Sequence, residues 1–239
     1  MKQLLWLLMV LGVSSVSAEP DWAAQRNALV DEINNDRSVL RQVLGRDRLD
    51  PAVERAMRQV PRHHYVPQNH RDQAYQNRPL PIGHGQTISQ PLIVALMTDL
   101  LQARPGDKVL ELGTGSGYQA AVLAELGARV YSMEIVPPLG ERAGEALAQH
   151  APAGLSLRIG DGYHGWKSAA PFDAIIVTAA GDHIPPPLIA QLKPGGRMVI
   201  PVGSYFFSQQ LMLVTKQADG SVQTRSLLPV AFVPLTGGH

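Results

Sequence analysis

The chain contains no cysteine in its 239 residues. That excludes disulfides, a cysteine nucleophile, thiolate metal sites and a lipid anchor on that residue. An excess of charge is also missing. Lys plus Arg is 21 and Asp plus Glu is 20, for a net charge of +1, and no block of like charge stands out. This balance argues against a nucleic-acid partner. The apolar run Leu4 to Val13 is too short to span a membrane. It follows Lys2 and precedes the small residues Ser14 to Ala18, with Val16 and Ala18 at cleavage-site positions. Residues 1–18 are therefore expected to be a signal peptide cleaved after Ala18. That places the protein in the periplasm or outside the cell, with no stable membrane insertion after cleavage. The alternative is an ordinary amphipathic N-terminal helix on a cytoplasmic protein; the run has no polar face to support it.

What is present suits a single domain: 45% of residues are hydrophobic, enough for one α/β unit with a substantial core. Trp22, Leu29, Ile33, Leu40 and Leu44 recur near helical spacing and predict a helix from Asp21 to about Leu44. Asp50-Pro51 starts another helix, which ends before Pro61. Residues 61–90 have no steady period and read as a structured loop. Pro91 opens an apolar helix through Leu101. From Lys108 strand and helix alternate: strands at 108–112, 129–135, 155–160, 172–179 and 197–202, helices at 117–126, 140–149 and 185–192. Two further strands, 210–216 and 222–233, are joined by a turn at Asp219-Gly220. The expected fold is α/β: a Rossmann-like doubly wound sheet, mostly parallel with an antiparallel C-terminal edge, plus an N-terminal helical layer. One domain is expected over 19–239, with 19–90 as the helical and loop layer and 91–239 as the core.

The chemistry concentrates at VLELGTGSGY, Val109 to Tyr118, where a strand runs into glycines at 113, 115 and 117. Glycine there lets the backbone bend and a ligand approach closely. Glu134, at the tip of the next strand, is placed for the hydroxyls of a ribose. The spacing is G-x-G-x-G rather than the dinucleotide pattern G-x-G-x-x-G. Glu111 stands just before the first glycine, where it would repel a pyrophosphate and attract an ammonium. S-adenosyl-L-methionine carries an ammonium and a ribose and no phosphate, so it is the expected cofactor. Glu111 could instead be a solvated strand end. Asp161 in Gly160-Asp161-Gly162 could reach an adenine amino group, or only cap a turn.

Further segments occur in the same order: PRHHYVP (Pro61 to Pro67), LPIGHGQTISQP (Leu80 to Pro91), GDGYHGW (Gly160 to Trp166), DAIIVTAA (Asp173 to Ala180) and FVPLT (Phe232 to Thr236). With VLELGTGSGY they make the chain similar to the protein-L-isoaspartate O-methyltransferases, from about Asp50 to Gly237. GQTISQP is the specific part. The resemblance implies methyl transfer from S-adenosyl-L-methionine to the free α-carboxylate of L-isoaspartyl residues in damaged proteins and peptides. The ester then closes to a succinimide unaided, and hydrolysis returns some normal aspartate. By the same resemblance the catalytic residue is Ser89. Thr87, Ile88, Ser89 and Thr236 bind substrate, and Glu111, Gly113, Gly115, Gly117, Glu134, Asp161 and Gly162 bind the cofactor. No metal is expected, because the histidines lack ligand spacing. A monomer is expected.

The chemistry needs no general base, since a carboxylate with a pKa of about 4 is already ionised at neutral pH. A hydroxyl that positions it is more useful, and Ser89 lies near a helix N-terminus, where anions are favoured. The bland alternative is that Ser89 merely caps that helix. His63 and His64, being adjacent, are expected to point to different sides of an extended segment. Trp166 and Phe172 are expected in the core. One departure from the family is Pro137-Pro138 after Glu134, expected to delay the next helix and loosen the ribose wall. An exported copy would also need its own supply of donor. The leader motivates a competing reading, an exported non-enzymatic binder of damaged or unfolded polypeptide. A nicotinamide dehydrogenase is disfavoured by the glycine spacing and Glu111.

Overall fold

The computed structural model describes residues 20–204 and 208–237. The expected leader, residues 1–18, lies outside the described residues. Seven strands form one sheet in the order β5-β4-β3-β6-β7-β8-β9. The strands are β3 (Lys108–Leu112), β4 (Arg129–Glu134), β5 (Leu155–Ile159), β6 (Phe172–Val177), β7 (Leu192–Val202), β8 (Gln209–Lys216) and β9 (Val222–Val230). Strands β3 to β7 pair in parallel, and β8 and β9 add antiparallel at one edge. Chain order reverses at β3, whose neighbours are β4 and β6. Ligands of open α/β sheets bind at such a reversal, outside the carboxyl ends of the strands.

Alternation along the strands sends side chains to two cores. Val109, Ala174, Ile176 and Val199 face the core under the helices α4 (Pro91–Leu101), α5 (Tyr118–Glu125) and α6 (Pro137–His150). Leu110, Leu112, Ile175, Val177, Met198 and Ile200 face the other core, with Phe172 and Leu188 of the short helix α7 (Pro186–Gln191). Burial of each Val, Leu, Ile, Met or Phe among them is worth about 1.5–3 kcal/mol. The N-terminal layer, α1 (Trp22–Asn35), α2 (Arg37–Leu44) and α3 (Pro51–Gln59), extends the first core with Ile33, Leu40, Val53 and Met57.

Five expectations need correction. The helix expected over 21–44 breaks at Asp36, whose carboxylate accepts from the Val39 N–H and so caps α2. Residues 61–90 are more ordered than a loop. They hold two short 3-10 turns and a hairpin, β1 (Leu80–Gly83) paired with β2 (Gln86–Ile88). Helix α6 is not delayed by its prolines. Pro137 and Pro138 occupy its first turn, where a missing N–H costs nothing. Strand β7 begins at Leu192 rather than 197, its pairing with β6 shifting register between Phe172 and Ala174. Finally, His63 and His64 lie on a 3-10 turn with ring centroids 4.3 Å apart, not on opposite sides of an extended segment.

Candidate active site

A cleft lies beyond the carboxyl ends of β3, β4 and β6, at the place where ligands of such sheets bind. Its floor is Leu112 to Ser116, and one wall is Met133 to Val136. Gly162, Thr178 and Ala179 complete that side. A second group of lining residues is Gln86 to Ile88 of the hairpin, Ser89 after it, and Val233 to Thr236 of the C-terminal tail. A shallower groove shares Thr87, Ser89, Thr178 and Val233, and runs outward past Ile93 and Phe232.

The floor depends on glycine. Gly113 has φ +92°, and a Cβ there would meet Thr178 Oγ1 at 2.5 Å. That hydroxyl donates to the carbonyls of Leu112 (3.0 Å) and Gly113 (2.6 Å), tying the loop to the end of β6. Glu134 is nearly buried and lines the cleft. Its Oε2 accepts from the Gly115 N–H at 2.7 Å and its Oε1 from the Val136 N–H at 2.9 Å. The prolines at the start of α6 therefore leave this wall tight, contrary to the loosening expected of them. Each oxygen keeps a second lone pair for a hydroxyl donor.

Three residues assigned to the cofactor are not in the wall. Glu111 is fully buried beneath the floor, on the α5 side of β3. It is not a solvated strand end, and it does not line the cleft. Ser132, its register partner on β4, donates to it, and Ser132 in turn shares a hydrogen bond with Thr114 of the floor. Its Oε1 is buried without a partner. Burial pushes its pKa up to about 8, Ser132 opposing and Glu134 adding to the rise. Gly117 packs the start of α5 against α6; a Cβ there would meet Leu147 Cγ at 3.0 Å. Asp161 caps its own turn, accepting from the Tyr163 N–H at 2.9 Å, and only its neighbour Gly162 reaches the cleft.

Every residue assigned to substrate lines the cleft: Thr87, Ile88, Ser89 and Thr236. Ser89 is not the helix cap. Gln90 holds that position and makes no side-chain capping bond. The tail bearing Thr236 is strapped to the end of β6. Ala180 N–H donates to Val233 O (2.8 Å) and Leu235 N–H to Ala180 O (2.7 Å). Gln209 clamps Phe232, accepting from its N–H at 2.6 Å and donating to its carbonyl at 3.0 Å. The hairpin is held from outside by Arg142 of α6, which donates to the Ile82 carbonyl.

Sequence reasoning missed Thr178, Gln209, Arg142 and Arg62. The last donates to Ser89 O at 2.8 Å and to Ala74 O at 2.9 Å. Arg62 and Thr178 lay in segments already singled out, PRHHYVP and DAIIVTAA. Of the expected core aromatics, Phe172 is fully buried, and Trp166 is half-buried with Arg158 stacked on it at 4.0 Å. Among the described residues no group of three or more His, Asp or Glu is placed to hold a metal, and no helix is long and apolar enough to cross a membrane.

The lining is notable for its charge. Among the described residues around the cleft, Glu134 is the single carboxylate and there is no Lys, Arg or His. Such a wall suits a cationic nucleoside and is poorly suited to a pyrophosphate.

Comparison with known proteins bears on the same residues. A family model described as protein-L-isoaspartate(D-aspartate) O-methyltransferase matches residues 26–239. A protein-L-isoaspartate O-methyltransferase of Syntrophobacter fumaroxidans is 56% identical over 236 residues, covering 99% of this chain and 96% of its own. One from Cupriavidus necator is 55% identical, covering 98% of this chain and 90% of its own. A solved protein-L-isoaspartate O-methyltransferase superposes with a TM-score of 0.78 at 26% identity, over 89% of this chain and 66% of that one. The fold is shared as well with a Plasmodium falciparum structure in complex with S-adenosyl-L-homocysteine, at TM-score 0.73 and 24% identity, over 88% of this chain and 98% of that one.

Proposed function

The chain belongs to the protein-L-isoaspartate O-methyltransferase family, and from that premise we propose how its cleft carries out the family's reaction. The reaction is methyl transfer from S-adenosyl-L-methionine to the free α-carboxylate of L-isoaspartyl residues, the first step of protein repair. The observation that carries the proposal is the cleft's division into two unlike walls. Glu134, held by two backbone amides, comes from the end of β4, and Ser89 comes from the turn before α4.

The residues present fit the donor. Glu134 would hold the ribose, the close backbone of Gly113 and Gly115 would lie against the nucleoside, and Gly162 would border the base. The ammonium would meet carbonyls of the floor and feel Glu111 through Ser132 and Thr114. When bound, the donor supplies a methyl group on a positively charged sulfur. The acceptor carboxylate arrives ionised, so the chain supplies no base. Ser89 donates a hydrogen bond to one carboxylate oxygen and fixes the direction of the other. Ile88, Val94, Leu112 and Val136 exclude water from the anion, which sharpens it as a nucleophile. Thr87 and Thr236 border the acceptor side. The damaged polypeptide reaches the cleft along the groove past Ile93 and Phe232.

The test pairs an isoaspartyl peptide with its normal aspartyl twin and labelled donor. Label is expected in the isoaspartyl peptide alone. Equal labelling of both, or of neither, contradicts the reading. Titration with S-adenosylhomocysteine separates it from a donor-free binder, for which no binding is expected.

Export is a separate proposal and rests on Lys2 to Ala18 alone. Sequencing the N-terminus of the protein from fractionated cells is expected to find it starting at Glu19 outside the cytoplasm. Recovery of intact Met1 in the cytosolic fraction contradicts export.

A further inference from the structure

The acceptor is an anion, yet no cation lines the cleft among the described residues. A positive charge lies one layer back. Arg62, from the PRHHYVP segment, is completely buried. Its Nε donates to Ala74 O at 2.9 Å and its Nη2 to Ser89 O at 2.8 Å, while Nη1 is buried with no partner. The guanidinium also sits 4.9 Å from the ring centroid of Tyr118. Ser89 and Tyr118 both line the cleft, so Arg62 stands directly behind two of its walls. No carboxylate among the described residues pairs with it. Burial pulls its pKa down only to about 10, so it stays charged at neutral pH.

A fully buried charge without a counter-ion is costly, and proteins rarely keep one that nothing offsets. Two neutral carbonyls satisfy two of its donors but do not neutralise it. The structural explanation, that Arg62 only pins the turns at Ala74 and Ser89, accounts for the hydrogen bonds. It accounts neither for the charge nor for the idle Nη1.

Resting on the reading of the cleft as an isoaspartyl site, we propose that Arg62 is a positioning and specificity residue whose buried positive charge is completed by the acceptor carboxylate beside Ser89. It acts through Ser89 and through the low-dielectric layer between them, without touching the substrate. An acceptor bearing a neutral group in place of the α-carboxylate leaves the charge uncompensated and is rejected. The enzyme thereby selects an anion with a wall that contains no cation, and keeps the donor's own positive charge away from a competing basic side chain.

The experiment measures calorimetric affinities, with S-adenosylhomocysteine bound, for an isoaspartyl peptide and for the same peptide with its α-carboxylate replaced by a carboxamide. The wild type is expected to favour the acid by at least about tenfold. Arg62→Met is expected to lose most of that preference, and Arg62→Lys to keep it within about threefold, with S-adenosylhomocysteine affinity unchanged in both. A purely structural role would weaken both peptides together and leave their ratio intact, which overturns the proposal; so does a Lys variant that behaves like Met. The wild type supplies a check that needs no variant. A buried charge is screened little, so the ratio should hold within about threefold between about 0.02 M and 0.5 M salt. A fall of more than about tenfold would assign the selection to surface charges and overturn the proposal. If the wild type methylates no isoaspartyl peptide, the reading of the site fails. If it methylates the peptide and Arg62→Met keeps the preference, only the role of Arg62 fails.

Discussion

The two walls of the cleft are built by different means. The donor wall is sheet: strand ends β3, β4 and β6, glycines at positive φ, and a carboxylate fixed by two backbone amides. The acceptor wall is loop: the β1–β2 hairpin, the turn before α4 and the strapped tail, held by Arg62, Arg142 and Gln209 reaching for backbone carbonyls. Parallel strand ends converge on a cofactor by topology, whatever the substrate. Selecting one polypeptide lesion needs surfaces the sheet does not offer, and loops pinned by long polar side chains provide them. The specific segment of the resemblance, GQTISQP, falls on the acceptor wall, with FVPLT beside it.

Breaking the donor wall should have the largest effect. Glu134→Ala removes the ribose partner and leaves the Gly115 and Val136 amides unpaired. S-adenosylhomocysteine affinity should fall by about 3 kcal/mol, on the order of a hundredfold, measured by calorimetry. A loss below about threefold would mean that Glu134 does not face the ribose. Next comes the floor. Gly113→Ala places a Cβ 2.5 Å from Thr178 Oγ1 on a backbone that L-residues disfavour. It should cost about 1–3 kcal/mol in urea unfolding, with donor affinity falling alongside. Unchanged unfolding would show that the loop relaxes freely.

The smallest effect sharpens the contrast through pH. Glu111 has its pKa raised by burial to about 8. The folded state then holds its proton more tightly than the unfolded chain, and this contribution to stability is lost as pH rises from about 4.5 through 8. In the N-terminal layer His63 has its pKa lowered by burial to about 4. It folds neutral, so its contribution is lost as pH falls from about 6.5 through 4. Urea unfolding across this range should show opposite slopes. Glu111→Gln should flatten the alkaline side and His63→Gln the acidic side. A Glu111→Gln protein with an unaltered alkaline slope would contradict a protonated carboxyl under the floor.

How far the sequence could be read follows the same division. Strand β6 and the glycine loop are legible because a buried parallel strand writes an apolar run and the turn demands glycine, whereas the largely exposed edge strand β5 is legible only from the alternation of strand and helix. Glu134 was legible as an acid at a strand tip. Glu111 was misplaced because alternation counts only apolar residues. A carboxyl inside the pattern gives no sign of whether it ends the strand or hides under it, bonded to Ser132. The hairpin carries a local signal: Leu80 and Ile82 alternate as buried residues before His84-Gly85, which take φ of +53° and +71°. The prolines of α6 were read as obstacles when their position, first in the helix, made them starters. Arg62, Gln209 and Arg142 were not legible at all, because a side chain that reaches across the fold to a carbonyl has no local period.

The independence of the two walls is tested most directly at Ser89. Ser89→Ala should leave the S-adenosylhomocysteine dissociation constant within about twofold of wild type while slowing single-turnover methylation of an isoaspartyl peptide by about 1–3 kcal/mol of transition-state stabilisation. A variant that methylates at the wild-type rate, or that loses donor affinity in step with its rate, would contradict the assignment of a separate acceptor wall.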